Sequence, residues 1–393
     1  MTLRGSRGYR CGDSLRDLSV IADGALLVRD GVVLEAGPSR RVENLAVSRG
    51  AIEISASGRV VMPGFVDSHT HLLFPPAGAR GEDADGNSVR TLTGQRIASR
   101  LRPWIAAMAR HGATTVEAGT GSGADESAET KLLRVATSLD GYPLGVVPIF
   151  RLKAPRTGAA TAIDWSIDEF LPAVKRRRLA RFAEIFWDPE AKDAGNFVRF
   201  LSAARNLGIP CRIDASPGMA GAAIRHGVAN LAVSVAHCEG ATAADIACMA
   251  GAGTMVIASP AAWLEGGELP PVRQLIDANA PIALATDFAP HMQRSISMQM
   301  VVGLAVRLMG MTIEEAISAA TVNGAHALGL GSTLGTLEPG RAADLLVLNI
   351  GDYRDLASHF GANLVALTMK GGEFISQQGP VEPLNPEIVR VSW

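Results

Sequence analysis

Two histidines stand two residues apart, His69 and His71, at the end of the apolar run Val60 to Ser68. Much later Asp287 closes another apolar run, Pro281 to Thr286. Both runs read as buried strands. Side chains alternate along a strand, so His69 and His71 point to the same side. Two imidazoles on one side can hold one metal ion together. An aspartate ending a distant strand of the same sheet can complete the site and take a proton from activated water. Neutral imidazole suits Zn, Fe, Ni or Mn. The bland alternatives are satisfied core histidines and, for Asp287, a cap on the next helix.

The elements that would position these groups alternate between strand and helix. Strand-like runs are Val60 to Val66, Ala113 to Glu117, Leu144 to Phe150, Phe182 to Trp187, Pro210 to Asp214, Leu231 to Ala236, Thr254 to Ala258 and Pro281 to Thr286. Helical stretches or long loops follow them. Arg96 to Arg110 is the first helix, with a kink or late start expected at Pro103. Alternation of this kind implies a parallel sheet, and eight units over about 230 residues imply a closed (β/α)8 TIM-like barrel. Chemistry then belongs at the strand C-terminal ends. His69, His71, Asp214, His237 and Asp287 all fall there.

The flanks read differently. Ala25 to Ala36 predicts a hairpin turning at Asp30-Gly31, and Ala51 to Ile54 an edge strand. Ala343 to Asn349 and Leu364 to Met369 are strand-like, after a helix with the capping box Thr312/Glu315. We therefore expect residues 1–57 and 337–393 to form a composite small β-sandwich beside a barrel spanning 58–336.

The bulk composition excludes several classes. Of 393 residues, 47% are hydrophobic and 19% charged, which suits a large core rather than a disordered chain. The net charge of -2 gives no general attraction to nucleic acid or to an anionic membrane. The basic cluster Lys175 to Arg178 reads as a solvated helix end. Cys11, Cys211, Cys238 and Cys248 make neither a metal ribbon nor a disulfide framework, which suits reduced thiols in a cytoplasmic protein. The opening residues contain no apolar signal core, and no apolar run reaches membrane-spanning length.

Two motifs carry a resemblance. Val61-Met-Pro-Gly-Phe-Val-Asp-Ser-His-Thr-His71 and Gly335-Thr-Leu-Glu-Pro-Gly-Arg-Ala-Ala-Asp-Leu-Leu-Val347 resemble the opening and closing motifs of the amidohydrolase superfamily. Within it the chain is similar to the imidazolonepropionases from about Ala25 to Ile375. Thr114 to Glu117, Leu269 to Val272 and Ala283 to Phe288 are among the strongest stretches. The resemblance implies a barrel, one divalent metal (Zn, Fe or Mn), a small-molecule substrate and a homodimer. The fourth strand offers no lysine of the kind that bridges two metals in binuclear relatives.

Residue by residue, the resemblance carries metal ligation to His69, His71 and Asp287. It places Asp214 where a ligand histidine stands in that family, with ligation and a plain loop anchor as its two readings. His237 would polarise the scissile carbonyl or ligate. Arg80 and Lys153 would hold an anionic group on the substrate, Lys153 alternatively pairing with Glu184 or Asp188. His291 would be a further substrate contact. The family's water-activating glutamate is replaced by Pro217, and its loop Lys-Ser-Gly-Tyr-Gly reads Gly119-Thr-Gly-Ser-Gly123.

These readings give a metal-dependent hydrolase of a C–N bond in a small cyclic amide, with an altered substrate. Asp287 would serve as proton shuttle and His237 as electrophilic partner. The rivals are a ring deaminase of the same superfamily and a non-catalytic small-molecule-binding homologue.

Overall fold

The computed structural model describes residues 1–5, 8–73, 87–121, 125–153, 159–187, 194–215, 220–264, 266–290, 295–377 and 388–393. Its centre is a sheet of eight parallel strands. They are β1 (Phe65–Asp67), β2 (Ala113–Gly119), β3 (Gly145–Leu152), β4 (Phe182–Phe186), β5 (Cys211–Asp214), β6 (Ser234–Ala236), β7 (Met255–Ala258) and β8 (Ile282–Leu284). Each pairs with the next in chain order. Nearly every strand residue is buried, as expected for short apolar runs covered on both faces.

The first and eighth strands meet along a seam just beyond their ends. Thr70 and Phe288 form a parallel bridge there. The His71 amide donates to Phe288 O at 2.7 Å, and the Asp287 amide to His69 O at 3.1 Å. Asp67 reinforces the seam by accepting from the Thr286 amide at 3.0 Å and its hydroxyl at 2.5 Å. Burial pushes the Asp67 carboxyl up to about 7, against the pull of those Thr286 bonds. The residues that close the barrel are thus the immediate neighbours of the expected metal ligands.

One expected strand is really two. Val60–Pro63 pairs antiparallel with Leu345–Leu348, outside the barrel, and only Phe65–Asp67 enters the barrel sheet. Gly64 separates them. A Cβ there would come within 2.3 Å of the Thr114 side chain, so the chain can pass β2 only without one. An apolar run carries no mark of such a change of sheet.

The flanking strands build two four-stranded sheets. One holds Val32–Pro38, Gly24–Arg29, Ile388–Ser392 and Ile52–Ser55 in that order. The other holds Glu373–Gln377, Val365–Lys370, Leu345–Leu348 and Val60–Pro63. Leu26, Val28, Val61, Leu345, Val347, Met369, Val389 and Val391 share one apolar cluster between them, which makes the pair a small sandwich. Asp30 and Gly31 take φ of 53° and 76°, as a tight hairpin turn requires.

Helices lie between the barrel strands. Gly94–Arg110 begins two residues before the expected start, capped by the Thr93 hydroxyl, and runs through Pro103. Ala243–Ala252 opens with a capping box of Thr242 and Asp245, and Ile313–Ala320 with the anticipated Thr312/Glu315 box. Lys175 to Arg178 is an exposed helix end, with Arg178 left-handed at φ 52°. No described helix is long and apolar enough to cross a membrane. All four cysteines are free thiols.

Candidate metal centre

The strand ends bring five side chains together at the C-terminal mouth of the barrel. His69 and His71 come from just beyond β1, Asp214 from the end of β5, His237 from just beyond β6, and Asp287 from beyond β8. One donor atom from each of His69, His71, Asp214 and His237 lies within 4.8 Å of the others. Asp287 closes the group. Its Oδ1 is 3.0 Å from His71 Nε2 and 3.8 Å from His69 Nε2, and its Oδ2 is 3.8 Å from His237 Nε2. His237 Nε2 also lies 3.8 Å from Asp214 Oδ1.

The group fits a divalent cation on two counts. His69 Nε2 is buried and has no hydrogen-bond partner, so its lone pair faces the cluster unused. The donor set mixes imidazole nitrogen with carboxylate oxygen, which suits Zn, Fe or Mn. The field agrees. Burial depresses His237, but Asp287, Glu239 and Asp214 outweigh it and raise the imidazole to about 10. Burial likewise resists ionisation of Asp287, yet His237, His71 and His69 hold it far below the ordinary carboxylate range. Two carboxylates converging on one buried and two half-buried imidazoles make a place where positive charge is favoured.

Beneath this group lies a charged layer that the sequence reading did not anticipate. Arg151, Glu184 and Arg212 stand in direct register across β3, β4 and β5. Glu117 joins them from β2. The Arg151 guanidinium donates through Nε to Glu184 and through Nη2 to Glu117 at 2.9 Å. Arg212 approaches the other oxygen of each, at 3.2 Å from Glu184 and 3.0 Å from Glu117. All four are buried. Burial raises both carboxyls, but the arginines outweigh it and hold Glu117 and Glu184 below their usual range. The layer supports the histidines directly. Arg151 Nη1 is 2.9 Å from His71 Nδ1, Glu117 Oε2 is 3.4 Å from His69 Nδ1, and Arg212 donates to Ser68 O at 3.0 Å.

The expected substrate contacts divide. Lys153 stands just beyond β3, is exposed, and places its Nζ 5.2 Å from the centre of the Phe186 ring. It does not pair with Glu184, whose charge is taken by the two arginines. Arg80 and His291 lie outside the described residues, as do Pro217 and Asp188.

Comparison with known proteins places the chain among relatives of this architecture. A model of the amidohydrolase family matches residues 74–375. An imidazolonepropionase of Solibacter usitatus is 34% identical, covering 93% of this chain and 95% of that protein. One from Porphyromonas gingivalis is also 34% identical, with 95% of each covered. Among solved structures, a zinc-bound adenosine deaminase from Xanthomonas campestris superposes with a TM-score of 0.69 at 19% identity, over 90% of this chain and 88% of that one. The zinc complex of atrazine chlorohydrolase TrzN from Arthrobacter aurescens gives 0.71 at 18% identity, over 90% of each. At such identities the two superpositions speak for the fold.

Proposed function

The chain belongs to the amidohydrolase family, and from that premise we propose that it is a metal-dependent hydrolase opening a small cyclic amide at its C–N bond. The observation that carries the proposal is the convergence of His69, His71, Asp214, His237 and Asp287 at the barrel mouth. His69, His71, Asp214 and Asp287 would supply the ligands of one divalent ion, Zn, Fe or Mn, with His237 beside them. When bound, the ion supplies Lewis-acid polarisation and makes water more acidic.

The remaining work falls to the chain's own groups. Asp287 is ionised and faces the cluster, so it can accept the proton of the attacking water. It can then return that proton to the ring nitrogen as the C–N bond breaks. His237 stands 3.8 Å across from Asp287 and can donate to the scissile carbonyl oxygen as charge develops there. Lys153 stands just beyond β3 and is suited to an anionic group on the substrate, the role the sequence also assigns to Arg80 and His291. The protein acts in this reading as a cytoplasmic homodimer with a small-molecule substrate.

The test is a screen of small lactams and hydantoin-like rings on metal-loaded protein, followed by Asp287→Asn. Loss of about 10²–10⁴ in turnover is expected for removing a general base. Undiminished hydrolysis by Asp287→Asn would refute the mechanism. Release of ammonia from an amino-heterocycle, without ring opening, would instead identify a deaminase. Protein that rejects Zn, Mn and Fe would identify a non-catalytic binding homologue.

A further inference from the structure

A cavity of about 290 Å³ lies where the barrel meets the sandwich, and none of the candidate metal ligands lines it. Three elements wall it. The helix Gly94–Arg110 contributes Trp104 and, at its end, His111. The helix Met298–Leu308 and the residues before it contribute Met300 and Ile296. The connection between the sandwich strands Leu345–Leu348 and Val365–Lys370 contributes His359 and Phe360. Ligand pockets begin at about 300 Å³, so the space suits one or two fused rings.

The walls are tied together before anything binds. Gln299 is buried behind them. Its Nε2 donates to His111 O at 3.2 Å and to Asn363 Oδ1 at 2.9 Å, and its Oε1 accepts from the Leu364 amide at 2.9 Å. One side chain thus joins all three elements. Arg307 fixes the loop from outside. It donates to Ala357 O at 3.1 Å and lies 5.8 Å from the centre of the Phe360 ring.

The lining has a definite chemistry. Trp104 is 37% exposed and Phe360 49%, although both border the cavity. Single exposed aromatics are ordinary, but two on one enclosed space mark a binding surface. No Asp, Glu, Lys or Arg is among the described residues that line it. Burial and the neighbouring Arg110 depress the His111 imidazole, which keeps that wall neutral at pH 7. His359 Nδ1 lies 3.2 Å from Asp355 O, and a carbonyl can only accept. The neutral ring therefore carries its proton on Nδ1 and leaves Nε2 to accept from a ligand N–H.

We propose that this cavity is a binding site for a small uncharged aromatic ring, taken up against Trp104 and Phe360. It stands apart from the proposed hydrolysis and does not depend on it. It also lies close to the metal centre. The Trp104 ring is 5.2 Å from that of Phe288, whose carbonyl accepts from the His71 amide.

The experiment titrates 5-fluoroindole, an uncharged bicyclic N–H donor, into the full chain and follows it by ¹⁹F NMR. A ring of this size in a preformed pocket should bind with a Kd of about 1 mM or tighter. Phe360→Ala should weaken it about tenfold or more, and Met300→Trp, which puts a ring into the cavity, should abolish binding. Urea midpoints confirm that each variant is folded. If Met300→Trp does not fold, Phe360→Ala still decides, because that ring is half exposed. Absence of binding to wild type, or equal affinity in Phe360→Ala, would overturn the proposal. Crystals soaked with 5-bromoindole should show bromine between Trp104 and Phe360; bromine at the barrel mouth alone would overturn it too. If Phe360→Ala weakens self-association and leaves 5-fluoroindole binding unchanged, the occupant is a second copy of the chain and the proposal fails.

Discussion

Gly119→Ala tests the charged layer under the site with a single methyl group. The new Cβ would lie 2.7 Å from both Cζ and Nη1 of Arg151 and 2.9 Å from Nη2. Non-bonded carbon atoms prefer about 3.5–4.0 Å, so the overlap approaches 1 Å. An arginine tip usually moves aside at little cost, but this one is buried and bound to Glu184 and Glu117. Breaking a buried ion pair outright costs about 3–5 kcal/mol, and overpacking a core about 1–3 kcal/mol. The protein will take the cheaper response, close to 3 kcal/mol. The φ of Gly119 lies outside the left-handed region, so alanine also restricts the unfolded chain, returning about 0.4–1 kcal/mol. The net expectation is a loss of about 2 kcal/mol, read as a lower urea midpoint with an unchanged slope. Gly251→Ala is the matched control. That glycine is exposed in the helix Ala243–Ala252, and nothing lies within 4 Å of its added Cβ. It should gain about 0.4–1 kcal/mol. If Gly119→Ala raises the midpoint as the control does, Arg151 is not pinned between Glu117 and Glu184.

Two further measurements follow from the same structure. Zinc or manganese at a hundred times its dissociation constant should stabilise the fold by about 2.7 kcal/mol, and a chelator should reverse this; an unmoved midpoint would count against the site. Burial raises the Asp245 carboxyl, but the Thr242 hydrogen bonds and Arg225 outweigh it and hold the group below its ordinary value. A depressed carboxyl contributes stability above its unfolded pKa of about 3.9, and that stability is lost as pH falls through the folded value. Asp245→Ala should therefore cost about 1 kcal/mol at pH 7 through the lost capping box, and the gap to wild type should close in acid. A gap that stays constant down to pH 3 would refute the assignment.

The convergence of the candidate ligands was legible because their chemistry is written in spacing. His69 and His71 share a strand side, and Asp214, His237 and Asp287 each end an apolar run. The charged layer was not legible, because each member is a lone charge in an otherwise apolar strand. Glu117, Glu184 and Arg212 fell within expected strands, but nothing local says which opposite charge each will meet. The answer lies in register, with Arg151 level with Glu184 and Glu184 level with Arg212. Arg151 was further hidden because its strand runs to Leu152, two residues past the expected end at Phe150. The passage of Val60–Pro63 into the sandwich was invisible for a similar reason: one apolar run serves two sheets equally well until a partner strand is known.

Backbone conformation decides how the proposed roles of His237 and Asp287 can be probed. His237 and Asp287 take φ of 58° and 52°, each one residue or a few beyond the end of a strand. Left-handed backbone is uncommon outside glycine, and Asp, Asn and His tolerate it best. The strands that carry them, β6 and β8, are not neighbours, since β7 lies between them. Two left-handed steps therefore accompany the approach of His237 Nε2 to within 3.8 Å of Asp287 Oδ2 across an intervening strand. A β-branched substitution at either position would combine lost chemistry with a backbone penalty of about 1–3 kcal/mol. Its failure would then say nothing about proton transfer. Asparagine at 287 keeps the size, tolerates the same φ and removes only the charge and the basic oxygen. Asp287→Asn is for that reason the substitution whose effect on turnover can be read as chemistry, provided its urea midpoint stays within about 1 kcal/mol of wild type.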